Sequence, residues 1–216
     1  MSCKRETAMQ FESAFLPLLI FAKAPEPGQV KTRLIPALGA TGARDLYLRL
    51  LQRTLTHTFD WPGPRFLYAT NPEHPVLRAL ASEHGLKLRQ QCGEDLGERM
   101  ANAIAEHPDG ALLIGSDCPD MDSTHVLAAC RALNRHDTAI IPSEDGGYVL
   151  IGQREANPAP FQNMHWSHEQ VLNDTRKRLE AAGLTLWEGP ALWDLDTPED
   201  LGRLPSELQD ITRPCA

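Results

Sequence analysis

The sequence predicts an α/β fold: a mainly parallel sheet with helices on both faces and a binding site at the carboxyl ends of its strands. Three observations predict it. Short apolar runs alternate with stretches of helical periodicity, which is the order of βαβ units. Residues 111–115 (ALLIG) are apolar without alternation, as in a central parallel strand covered on both faces. Residues 18–34 (LLIFAKAPEPGQVKTRL) pass from an apolar strand through a Pro/Gly loop toward a helix. In an open α/β sheet, the loop after the first strand is where ligands sit.

Taken in order, residues 1–15 read as a disordered tail, 16–208 as one domain and 209–216 as a second tail. That domain length supports a single buried core. The first strand ends at Ala22 and Lys23. Thr41 caps a helix to about Thr58, with Leu46, Leu50, Leu51 and Leu55 on one face. The Trp61-Pro62-Gly63-Pro64 stop precedes a strand at 65–70, a helix at 75–84 closed by Gly85, and a short strand at 87–91. Residues 95–107 are helical, with Leu96, Met100, Ala103 and Ile104 inward. After 111–115, Asp122 or Ser123 caps a helix to about Leu133, and 138–141 is a strand. Asp145-Gly146-Gly147 turns the chain into an antiparallel strand at 148–152. Residues 153–165 are irregular. Ser167 and Gln170 form a capping box for a helix to Ala182, and 184–187 is a short strand. Residues 192–196 are extended, and Thr197 caps a last helix with Pro198 at its first position.

Composition narrows the function. The 216 residues carry 21 basic and 29 acidic side chains, a net charge of −8. An acidic chain without a basic run argues against nucleic acid as a partner and for a small-molecule ligand. The five cysteines are odd in number, widely spaced and free of C-x-x-C, which fits a reducing cytoplasm better than a disulfide framework or a zinc site. No apolar run approaches the ~20 residues of a membrane span, and the N-terminus lacks the apolar segment of a signal peptide. The oligomeric state is not legible.

The first loop suits an anion, above all a phosphate chain. It offers backbone amides around Ala22 and Gly28, the hydroxyl of Thr32 and the cations Lys23, Lys31 and Arg33. The alternative is a solvated turn. Lys31-Thr32 resembles the end of a P-loop, but Gly28 is misplaced and that pattern fails. Asp117 follows the buried run at 111–115 and cannot sit buried and unpaired. It either holds a divalent cation or caps the next turn. Asp194 and Asp196 are two apart in an extended segment and project to one side, where their repulsion needs a proton or a cation. Oxygen donors alone select Mg²⁺ or Mn²⁺. Asp95 and Arg99 fall on the first turns of one helix and either face the ligand edge or form an ordinary helix start. Asp145, Gly146 and Gly147 either form a plain turn or let a substrate approach the backbone closely. No G-x-S-x-G occurs and Cys118 lacks a base, so no nucleophile stands out.

In order, FAKAPEPGQVKTRL, QCGEDLGERM, GSDCPDM, EDGGYVLIG, the Trp166-Ser167 pair before a helix and DLDTPEDL resemble one family. It is the glycosyltransferase-like, or nucleotide-diphospho-sugar transferase-like, proteins of the GT-A superfamily known as selenodomain-associated transferases. The resemblance spans about 17–204. KTRL and D-x-DTPEDL are also similar to 2-phospho-lactate guanylyltransferases and, more distantly, molybdenum-cofactor guanylyltransferases. The resemblance implies a three-layer α/β/α sandwich and phosphates held by Lys23, Lys31 and Arg33. It implies a catalytic metal acid at Asp117, with Lys31 and Arg33 offsetting charge in the transfer, and a second acidic element at Asp194 and Asp196. The superfamily's D-x-D pair is reduced here to Asp117-Cys118-Pro119, with Asp120 one position too far. The implied activity is metal-dependent transfer from a nucleotide-sugar. The alternative is nucleotidyl transfer releasing pyrophosphate; a nucleotide-binding protein without catalysis is the rival class.

Overall fold

The computed structural model describes residues 15–166 and 168–209. Seven strands form one sheet: β1 (Leu18–Ala22), β2 (Arg65–Ala69), β3 (Lys87–Gln90), β4 (Ala111–Ile114), β5 (Thr138–Pro142), β6 (Tyr148–Gln153) and β7 (Leu186–Glu188). Their order is β3-β2-β1-β4-β6-β5-β7. Only β6 runs antiparallel, between β4 and β5, so the carboxyl ends of β1, β4 and β5 share one edge. That is the mixed, mainly parallel sheet the sequence predicts.

The helices are α1 (Ile35–His57), α2 (Pro75–Glu83), α3 (Leu96–Ala105), α4 (Ser123–Ala132), α5 (Val171–Ala181) and α6 (Ser206–Gln209), with 3₁₀ turns at Thr32–Leu34 and Pro198–Arg203. One apolar cluster packs α2 and α4 on β1, β2 and β4. A second packs α3 and α5 on the other face. A third joins α1 to Trp193, Leu195, Leu204 and Leu208. Leu18, Leu19 and Ile20 are fully buried between the first two, which is why β1 reads as an unbroken apolar run.

Three elements differ from the sequence reading. The first long helix starts at Ile35, with proline in its first turn, and is broken at Gly39 (φ 69°), so Thr41 is not its cap. Leu96 is 45% exposed, and Gly97 is buried in its place against the ring of Trp166. The helix expected after Ser167 begins at Val171, with Gln170 at the cap position, and Ser167 lies outside the described residues. Both tails except Phe15 and Gln209 also lie outside them. Thr197 and Asp200 form the expected N-terminal cap, there as a reciprocal capping box.

Candidate functional site

The first loop leaves β1 at the carboxyl edge and is anchored from two sides. The Tyr47 hydroxyl accepts from the Lys23 amide (2.7 Å) and donates to the Lys23 carbonyl (3.1 Å). The Ala24 amide donates to Thr70 Oγ1 (2.9 Å), at the end of β2. Tyr47 is 3% exposed, and burial first, then the charge of Asp117, push its phenol far above the ordinary range. It stays a neutral donor and acceptor. Gly28 is an exposed turn residue. Lys23 is exposed, and among the described residues its ammonium has no partner.

Lys31 carries the loop back under the rim. Its backbone is left-handed (φ 48°), an uncommon and costly conformation for a lysine. Its side chain is 5% exposed. The ammonium donates to the Leu195 carbonyl and lies 3.0 Å from Asp117 Oδ1. The second contact is an ion pair without hydrogen-bond geometry, so among the described residues no donor is aimed at the buried Oδ1. The Asp117 side chain is 47% exposed, so its other oxygen faces solvent at the rim.

Residues 192–196 cross this edge and draw the parts together. The Leu192 amide donates to the Pro142 carbonyl (3.0 Å) and the Glu144 amide to the Leu192 carbonyl (2.9 Å). The Leu195 amide donates to the Asp117 carbonyl (2.9 Å). Trp193 and Leu195 point inward while Asp194 and Asp196 alternate outward, as the two-residue spacing predicts. The two acids then part company. Asp196 pairs with Arg33. Asp194 accepts from Ser143 Oγ at the end of β5. Burial raises the Asp194 carboxyl above the usual range, against the Ser143 hydrogen bond; Asp145 and Asp117 add to the rise and Lys31 opposes it.

The acids that interact are therefore Asp117 and Asp194: Lys31 pairs with the first, and its charge and that of Asp145 act on the second. Asp196 leaves the expected trio because Arg33 holds it. Among the described residues, no three His, Cys, Asp or Glu side chains gather as a metal site. Asp120 is also committed, accepting from Trp193 Nε1 (2.7 Å), whose ring lies 4.5 Å beneath the Arg203 guanidinium.

The other expected site residues have structural duties. Gln91 donates to the Ala22 (3.0 Å) and Tyr68 (2.8 Å) carbonyls, holding 91–95 at the ligand edge. There Asp95 caps α3 through the Glu98 amide (2.8 Å), and Arg99 Nε donates to the Gly93 carbonyl (3.0 Å). No hydrogen bond or ion pair among the described residues joins Asp95 or Arg99 to Lys31, Asp117 or Asp194. Thr32 is exposed and opens the 3₁₀ turn. Asp145 Oδ1 accepts from the Gly147 amide (2.9 Å). Gly146 does permit a close approach, but the chain itself makes it: a Cβ there would lie 2.0 Å from the Glu169 carbonyl. Cys118 is buried and its thiol is pushed up to about 12, chiefly by desolvation, which suits no nucleophile.

Sequence reasoning missed Tyr47 and Ser143. Tyr47 lies on the inward face of α1, where an aromatic reads as core. Ser143 carries the only local signal, a hydroxyl directly after a buried strand.

A family profile described as "Uncharacterized protein conserved in bacteria (DUF2064)" matches residues 54–168, over half of the chain. The chain belongs to this family. Among solved structures it is similar to a provisionally assigned nucleotide-diphospho-sugar transferase from Desulfovibrio desulfuricans G20. The two share 31% identity over 85% of this chain and 83% of that one, with a TM-score of 0.77. Two more distant likenesses bear on the fold of this DUF2064 chain. One is to 4-diphosphocytidyl-2C-methyl-D-erythritol synthase from Anaerococcus prevotii (13% identity, 91% and 96% coverage, TM-score 0.61). The other is to a cytidylyltransferase from Leptospira borgpetersenii (15%, 92% and 92%, 0.59). No curated protein matches the sequence.

Proposed function

We propose that this protein is a transferase that binds a nucleotide-sugar through its diphosphate at the carboxyl rim, together with a divalent cation. The observation that carries this reading is the convergence of Asp117, Asp194 and Lys31, from three separate segments, beside the exposed Lys23. The likeness to the Desulfovibrio protein supports the substrate class.

The residues present fit such a cation. Their donors are carboxylate oxygens, Asp117 Oδ1 is buried without a hydrogen-bond donor among the described residues, and the charges of Asp117, Asp145 and Lys31 all act on Asp194. Asp117 and Asp194 would hold Mg²⁺ or Mn²⁺, and phosphate oxygens would complete a shell that two carboxylates cannot. Bound there, the ion would act as a Lewis acid on a phosphoryl oxygen. Lys31 balances both carboxylates from below the rim. Lys23 and Arg33 present positive charge to phosphate oxygens and offset charge that grows during transfer. Tyr47 keeps the loop in place while they do so.

A second reading, nucleotidyl transfer with release of pyrophosphate, is favoured by one observation. Only Asp117 serves the rim after β4, because Cys118 and Pro119 follow it and Asp120 is taken by Trp193. Incubation with UDP- or GDP-sugars, and separately with nucleoside triphosphates, in Mn²⁺ tests both. Release of a nucleoside diphosphate supports the first reading and of pyrophosphate the second. Nucleotide binding with neither product leaves a binding protein without catalysis. No nucleotide binding by calorimetry overturns all three. The cytoplasmic location expected from the sequence is part of this proposal; no helix among the described residues is long and apolar enough to cross a membrane.

A further inference from the structure

A cleft of about 510 Å³ opens beside the C-terminal end of α4, lined by Ala128, Arg131, Ala132, Arg135, His136 and Trp187 among others. None of these residues belongs to the rim that gathers Asp117, Asp194 and Lys31. Its volume is in the range of small-molecule sites, which are commonly aromatic-lined with a few converging polar groups.

Charge pairing marks it out. In this acidic chain almost every described lysine and arginine has an internal partner, be it a carboxylate, a carbonyl or a ring. Among the described residues, only Lys23, Arg131 and Arg135 have no hydrogen bond, ion pair or ring contact for their cationic groups. Lys23 stands at the rim already described. The other two stand together at this cleft.

The ordinary use of cations at a helix C-terminus is to satisfy its last carbonyls. Here the backbone does that. The Ala129 carbonyl accepts from the Leu133 amide (3.2 Å), that of Arg131 from Asn134 (3.2 Å), and that of Ala132 from both Arg135 and His136 (3.0 Å each). The guanidinium groups are left unused. His136 also lines the cleft, and among the described residues its buried Nδ1 has no hydrogen-bond partner. Trp187 is half-buried on the edge strand β7, in register with Ala139.

We infer that this cleft is a second ligand site, which takes a planar ring carrying a phosphate or a carboxylate. The indole of Trp187 offers the ring a flat apolar surface. Arg131 and Arg135 offer planar forks that match either anion in paired hydrogen bonds.

The test uses the full chain with phenyl phosphate and benzoate, and with inorganic phosphate and phenol as partial ligands, followed by calorimetry and tryptophan fluorescence. At least one ring anion binds saturably, and at least tenfold more tightly than inorganic phosphate or phenol. The tighter of the two identifies the anion. Arg131→Ala/Arg135→Ala weakens binding at least tenfold, Lys31→Ala leaves it unchanged, and Trp187→Phe abolishes the fluorescence change. The double variant removes two exposed, unpaired side chains, so its melting temperature stays within about 2 °C of wild type. No saturable binding of either ring anion at about 10 mM overturns the inference. So does binding indifferent to the double substitution, a fluorescence change that survives in Trp187→Phe, or inorganic phosphate binding as tightly as the ring anions.

Discussion

The Tyr47 hydroxyl does a job that one atom's removal can isolate. Tyr47→Phe keeps the ring in its place on α1 and deletes an acceptor for the Lys23 amide (2.7 Å) and a donor to the Lys23 carbonyl (3.1 Å). A neutral hydrogen bond contributes about 1 kcal/mol net, and a buried group left unpaired costs about 1–3 kcal/mol. Two bonds lost, with the Lys23 amide stranded behind a 3% exposed ring, give about 2–3 kcal/mol. For a chain of this size, 1 kcal/mol moves the melting temperature by roughly 2–4 °C. The substitution should therefore lower it by about 5–10 °C, read by scanning calorimetry. Because Lys23 opens the phosphate loop, nucleotide affinity should also fall about tenfold, or about 1.4 kcal/mol. A variant that melts within a degree of wild type and binds nucleotide equally well would refute the clamp.

Other expectations follow from the same geometry. Asp194→Asn should raise the melting temperature of the ligand-free protein at pH 7 while abolishing Mn²⁺-dependent nucleotide binding. The sign comes from the raised carboxyl: such a group stabilises the fold below its ordinary range and loses that contribution as pH rises through its elevated folded value. The stabilising effect should accordingly shrink as pH is lowered toward about 4; an effect that grows in acid contradicts the assignment. Iodoacetamide at pH 8 should alkylate exposed Cys92 and spare Cys118 in the native protein, read by peptide mass spectrometry. Equal labelling of both would mean that Cys118 is not enclosed. Gly146→Ala should cost about 3 kcal/mol or more in urea unfolding, since φ is +91° and the added Cβ meets the Glu169 backbone. A cost under about 1 kcal/mol would show that the turn can move aside.

Much of the fold was legible because local pattern and burial agree. The run at 111–115 reads as a central strand since both its faces are covered, and the acid after it lands at the ligand edge. The alternation of Trp193, Asp194, Leu195 and Asp196 was equally plain. Which partner each acid takes was not, because Arg33 lies 163 positions from Asp196 and Ser143 lies 51 from Asp194. Periodicity failed at Leu96 for a different reason. It scores apolar side chains, whereas the inward position is Gly97, which is buried because Trp166 needs the space a Cβ would fill. The true start of α1 had a signal in Pro36, near the N-terminus of the helix, but Thr41 offered a competing cap on the far side of the break at Gly39. The left-handed backbone of Lys31 left no trace in the sequence at all. Nothing about a lysine announces that conformation, which is held by the fold around it.

The central claim is that Asp117, Asp194 and the loop cations form one site for a diphosphate and a metal. It is tested most directly by melting the wild-type chain and Asp117→Asn with UDP or GDP, with Mn²⁺, and with both. The account expects a large rise for the wild type only when nucleotide and metal are present together, and no such rise for Asp117→Asn. A rise that is the same without Mn²⁺, or that persists in Asp117→Asn, would contradict it.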